Sequence, residues 1–77
     1  MTEVKRFSNP IRVYDKVELG LMYFPKSTPQ QARAHLREWI RGNKELCNEL
    51  IKLGYRARSK EYTPRQVEAI FTVFGEP

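Results

Sequence analysis

The stretch Thr28-Pro29-Gln30-Gln31-Ala32-Arg33-Ala34-His35-Leu36-Arg37-Glu38-Trp39-Ile40-Arg41-Gly42-Asn43 decides the fold. It opens in the form of a capping box: a threonine hydroxyl accepts from an orphan amide at the helix start, and a glutamine three residues on bonds back. Pro29 takes the first helical position, where a missing N–H costs nothing. Ala32, Leu36, Trp39 and Ile40 then make one apolar stripe, which predicts a helix from Pro29 to about Arg41 that ends at Gly42-Asn43. Arg33, Arg37 and Arg41 follow at i, i+4, i+8 and form a basic ridge beside that stripe, with Gln30 one turn ahead of it.

The same helix-start signature recurs on both sides. Asp15-Lys16-Val17-Glu18 and Thr63-Pro64-Arg65-Gln66 also have the capping-box form. They predict helices from Lys16 to about Tyr23 and from about Pro64 to Phe74. The first ends before Pro25, because the residue ahead of a proline resists helical angles. The last carries Val67, Ile70, Phe71 and Phe74 at i, i+3, i+4, i+7, with Gly75 as a left-handed stop. A further helix is expected from Asn43 as cap to Leu53, with Leu46, Cys47, Leu50 and Ile51 inward. Gly54 ends that helix, and Tyr55 packs back over its last turn.

Two segments read as extended. Ile11-Arg12-Val13-Tyr14 alternates apolar and polar residues and is β-branched. The stretch from Tyr55 to Tyr62 also alternates, with Arg56, Arg58 and Lys60 on one face. The order β-α-α-α-β-α predicts a mostly α fold in a single domain over 1–77. It holds a helix-turn-helix core over about 15–41, an extra helix over about 43–53, a short β wing over about 55–62 and a carboxy-terminal helix over about 64–74.

Composition narrows the function. The chain has 77 residues, one Cys and one His, so neither a disulfide nor a Cys/His zinc cage forms within it. No paired carboxylates, no nucleophile beside a base and no phosphate-cradling glycine loop appear, so no enzymatic activity, cofactor or metal is expected. Met1 to Arg6 carries charge without a following apolar run, and no stretch approaches the ~20 apolar residues that span a bilayer. With the single thiol, this reads as a cytoplasmic protein without a membrane partner. Trp39 is expected in the core, His35 on the solvated side of its helix, and Cys47 as an apolar packing thiol.

The formal net charge is +5, and it is uneven. From Lys26 to Lys44 five basic residues face one acid, Glu38; from Lys52 to Arg65 five more face one acid, Glu61. Basic charge therefore gathers in one helix and one extended segment. A helix lying in a DNA groove packs one face on its own domain and carries Arg and Gln on the adjacent one. Gln30 and Arg33, in the first turns, are placed for base edges and Arg37 and Arg41 for phosphate, with Lys44 a further candidate nucleic-acid contact. Arg56, Arg58 and Lys60 would straddle the backbone beside the same groove. The competing readings are a solvated arginine row, a helical adaptor whose basic face meets an acidic protein, and RNA binding with Tyr55 and Tyr62 stacked on unpaired bases. A lone winged helix this small commonly works as a homodimer or beside a second protein.

Glu18-Leu19-Gly20, Tyr23, Thr28 and a helix ending in Arg37-Glu38-Trp39-Ile40 resemble the helix-turn-helix of excisionase-like and MerR-like regulators. In those families a Glu-Leu-Ala stretch forms the first helix, its small residue lets the two helices approach, and a Ser/Thr cap opens the recognition helix. Gly20 matches the small position, and Thr28-Pro29 the cap. Gly54-Tyr55-Arg56 through Tyr62-Thr63-Pro64-Arg65 resembles the end of the MerR-type wing. The resemblance implies a winged helix-turn-helix that binds double-stranded DNA. Two features depart from it: the longer turn Phe24-Pro25-Lys26-Ser27 and the additional helix over 43–53. The chain as a whole resembles a family of short bacterial proteins built on a domain of unknown function. That family shares the layout met here at Tyr14, Glu18-Leu19, Tyr23-Phe24-Pro25, Trp39-Ile40, Leu53-Gly54-Tyr55, Thr63-Pro64 and Gly75-Glu76-Pro77.

Overall fold

Each helix begins where an oxygen-bearing side chain takes up an orphan amide. In the computed structural model, which describes residues 7–77, these are α1 (Lys16–Tyr23), α2 (Pro29–Gly42), α3 (Lys44–Lys52) and α4 (Pro64–Phe74). The reading of Met1 to Arg6 as lacking an export signal lies outside the described residues. Thr28 and Thr63 form complete capping boxes with Gln31 and Gln66. Asn43 accepts from the Leu46 amide at 3.0 Å. Asp15 accepts from Val17 at 2.7 Å, while Glu18 turns its carboxylate to Arg12, 2.9 Å away.

The chain after α3 reverses at Gly54, whose φ of +90° suits a residue without a Cβ. The Gly54 amide bonds the Ile51 carbonyl and the Tyr55 amide bonds the Leu50 carbonyl, the two bonds of a Schellman stop. Tyr55 packs against the core, as expected. Gly75 ends α4 differently, with φ +81° and one bond from its amide to the Phe71 carbonyl.

The fold is mostly helical in the order β-α-α-α-β-α, with one small antiparallel sheet. Its strands, β1 (Tyr14–Asp15) and β2 (Glu61–Tyr62), pair Tyr14 with Tyr62 and Asp15 with Glu61. Both are shorter than the extended segments read from the sequence. Ile11 to Val13 pairs with nothing among the described residues, and the chain turns between Arg56 and Ser59, where the Ser59 amide bonds the Arg56 carbonyl at 3.1 Å. Hence 55–62 makes no hairpin of its own. It supplies one strand to a partner that precedes α1.

The core gathers Tyr14, Leu19, Leu36, Ile40, Leu46 and Leu50 with Tyr62, Val67, Ile70 and Phe71. Two expected members are missing from it. Trp39 is 46% exposed and Ile51 57%. On α2 the buried row is Ala32, Leu36 and Ile40 at i, i+4, i+8, and Trp39 stands beside it against Phe24 and Phe74. On α3 the buried pair is Leu46 and Leu50; Cys47 is half-buried, and Ile51 falls on the far side of a helix too short to be covered twice.

Candidate nucleic-acid interface

The crossing of α1 and α2 sets the geometry of the basic face. A Cβ on Gly20 would lie 2.7 Å from the Ala32 carbonyl oxygen and 2.9 Å from the Arg33 amide nitrogen. The two backbones meet there, so the small residue read at this position is a steric requirement. The close approach brings the start of α1 up to the arginine ridge of α2.

At that start stands Lys16, only 3% exposed. A buried ammonium needs acceptors. Its Nζ donates to the Arg56 carbonyl at 2.9 Å and to the Ala57 carbonyl at 3.4 Å. It also lies 4.6 Å from the Tyr55 ring centre and 5.6 Å from that of Tyr62. The Lys16 amide adds a bond to the Lys60 carbonyl at 2.8 Å. One residue thus ties the basic segment 56–60 to the helix pair.

Burial holds the Lys16 ammonium below its ordinary pKa, and the charges of Arg33 and Arg37 lower it further. Burial raises the Tyr55 phenol, as does neighbouring Cys47, against the opposing pull of Arg37, Arg33 and Arg41. Tyr62 is raised by burial and by Tyr55, and Arg33 and Arg37 oppose that too. Arg33 and Arg37 act on all three of Lys16, Tyr55 and Tyr62. Arg33 and Arg37 are thus near enough to the nook around Lys16 for their charge to act there.

Arg33 is half-buried beside the crossing, whereas Gln30, Arg37 and Arg41 are exposed. Arg41 meets Glu38 at 3.8 Å on the surface. Among the described residues, no hydrogen bond or ion pair engages the side chains of Gln30, Arg33, Arg37, Lys44, Arg56, Arg58 or Lys60. Lys44 opens α3, beyond the break at Asn43 that separates it from the ridge helix. Tyr62 is buried, and its ring lies parallel to Tyr55, 6.1 Å between centres. The pair closes over Lys16 rather than standing open to bases.

Lys16 was not read from the sequence as part of the site. A signal was present: a lysine in the first helical turn faces the positive end of the helix dipole, so it needs a local reason. Arg56 and Ala57 supply that reason through their carbonyls. Among the described residues no cluster of three or more His, Cys, Asp or Glu side chains is spaced to hold a metal, and no helix is long and apolar enough to cross a membrane.

A family model described as a domain of unknown function, DUF4248, matches residues 10–77. The chain belongs to that family. The match covers every helix and both strands of this DUF4248 domain, including the Gly20 crossing, Lys16 and the arginine ridge. The family description carries no activity. No curated protein and no solved structure matches the chain.

Proposed function

We propose that the chain binds double-stranded DNA, with α2 as the recognition element of a winged helix-turn-helix and the 56–60 segment beside it. The observation that carries this reading is the pair of hydrogen bonds by which Lys16, at the start of α1, holds the Arg56 and Ala57 carbonyls, while α1 itself meets the α2 backbone at Ala32 and Arg33. That link between two basic elements far apart in sequence supports their acting together on one duplex. From Arg33 to Arg41 the ridge covers roughly 12 Å of helix, comparable with the width of a major groove. Arg37, Arg56, Arg58 and Lys60 are free to meet phosphate.

Anisotropy of a labelled random duplex at about 50 mM salt tests the reading. The expected result is at least micromolar binding with a linear loss against the logarithm of salt concentration. Changing Arg33, Arg37 and Arg41 together to Glu abolishes it. Arg58→Ala with Lys60→Ala lowers the salt slope by about two phosphate contacts. Absence of binding by the unaltered protein at this salt overturns the proposal. A strong preference for single-stranded RNA replaces it with the RNA reading.

A further inference from the structure

The other side of α2 has a different chemistry. Trp39 follows Arg37 by two residues, about 200° of helical rotation, and so faces away from the ridge. With Glu38 and Phe74 it lines a hollow of about 580 Å3, and Val73 continues that hollow into a second one of about 560 Å3 between α3 and α4. Leu46, Leu53, Ala69 and Val73 give the second hollow apolar lining, and Glu49, Glu68 and Arg65 bring its charge. Val73 is 46% exposed, like Trp39.

We propose that this groove receives a basic amphipathic helix of a partner protein, independently of the DNA reading. The shape argues for a helix. Arg65, Ala69 and Val73 form one i, i+4, i+8 row along α4, roughly 12 Å long, lining the hollow with Leu46 of α3 and Leu53 just past its end. The small Ala69 in the middle of that row leaves room for an incoming apolar side chain, and such rows accept the ridge of a third helix. Strand addition lacks a template, since β1 and β2 have two residues each.

Charge argues for a basic occupant. The two hollows are lined by three carboxylates, from Glu38, Glu49 and Glu68, and by one guanidinium, from Arg65. Arg41 shares Glu38 from the outside at 3.8 Å, which leaves Glu49 and Glu68 as the dominant pair. A second copy of the chain placed face to face would set these acids against themselves. The local charge is opposite to the net charge of +5, and that opposition makes the test selective.

Trp39 is the chain's only tryptophan and stands in the groove, so its emission reports occupancy. The probe is a helical peptide of about 14 residues, Leu at i, i+3, i+4, i+7 and Lys elsewhere, compared with the same peptide carrying Glu for Lys. The Lys peptide is expected to shift Trp39 emission to the blue and to saturate, and the Glu peptide is not, although the net charge attracts it. Glu49→Lys with Glu68→Lys weakens the Lys peptide about tenfold or more and favours the Glu peptide. Val73→Lys, at a half-exposed position, abolishes the shift while the thermal transition stays in place. Equal binding of both peptides, or of neither, overturns the proposal. A blue shift that depends on protein concentration alone, with a doubled mass in sedimentation, overturns it in favour of self-association.

Discussion

Where α1 crosses α2 the two backbones are in contact at Gly20 and Ala32, whereas α3 and α4 border a hollow of about 560 Å3. The first pair leaves no room for a single added carbon. The second leaves room for a side chain from elsewhere. A rigid crossing can hold a charged face in register, and an open seam can admit a visitor. The largest expected effect follows directly. Gly20→Ala forces a Cβ against backbone atoms that cannot rotate away, and overpacking of this kind costs about 3 kcal/mol, less the ~1 kcal/mol that alanine returns in helix propensity. Ala69→Leu, pointing into the seam, changes stability by less than about 1 kcal/mol. Urea midpoints of the two variants make the comparison. Equal midpoints would mean that the crossing relaxes and that the contrast between the pairs is false.

The two threonine boxes sharpen the same contrast. Thr28 and Thr63 open α2 and α4 with the same four-residue logic, yet their glutamines end up in different surroundings. The Gln31 Oε1 reaches the Thr28 amide at 3.4 Å in the open. The Gln66 Oε1 takes the Thr63 amide at 3.0 Å, and its Nε2 donates to the Leu53 carbonyl at 3.0 Å from inside the core. Gln66 thus joins the end of α3 to the start of α4. Gln66→Ala leaves the part-buried Thr63 amide and Leu53 carbonyl without partners, a loss of about 1 kcal/mol. Gln31→Ala loses an exposed half of a cap, about 0.5 kcal/mol. Thermal unfolding of both variants checks the ratio, and comparable losses would show that the box itself, rather than its burial, carries the energy.

These cases mark what could be read in advance. The helix starts and the stops at Gly54 and Gly75 were legible because a cap involves residues three or four apart. Gly20 was legible as a small position through the family resemblance, and the exposed ridge of Gln30, Arg37 and Arg41 through helical spacing. The burial of Lys16 was not. Its carbonyl partners lie 40 and 41 residues away, and no local pattern specifies them. Trp39 and Ile51 were misplaced for a related reason. An apolar stripe shows which side of a helix prefers burial, but the number of neighbouring helices decides how wide a stripe is covered. The short strands were overextended because Lys16 takes the carbonyls of Arg56 and Ala57, residues that an alternating pattern assigns to an edge.

The smallest expected effect concerns protons on the tight side of the molecule, where Lys16 and Tyr62 are buried together. They move stability in opposite directions. The Lys16 ammonium has a lowered pKa in the fold, so the unfolded chain holds more protons; the penalty for burying it is full at neutral pH and fades as pH rises through its folded value toward the ordinary lysine range. Tyr62 has a raised pKa in the fold, so its contribution is whole below pH 10 and is lost as pH climbs above that ordinary value. Each group contributes at most about 1.4 kcal/mol per pH unit within its own window. Lys16→Met should therefore make stability decline more steeply on the alkaline side, and Tyr62→Phe should flatten the decline. Urea midpoints measured across alkaline pH read both slopes. Parallel curves for the two variants would mean that Lys16 is not held in the buried nook between Tyr55 and Tyr62, and the anchor proposed for the 56–60 segment would be lost with it.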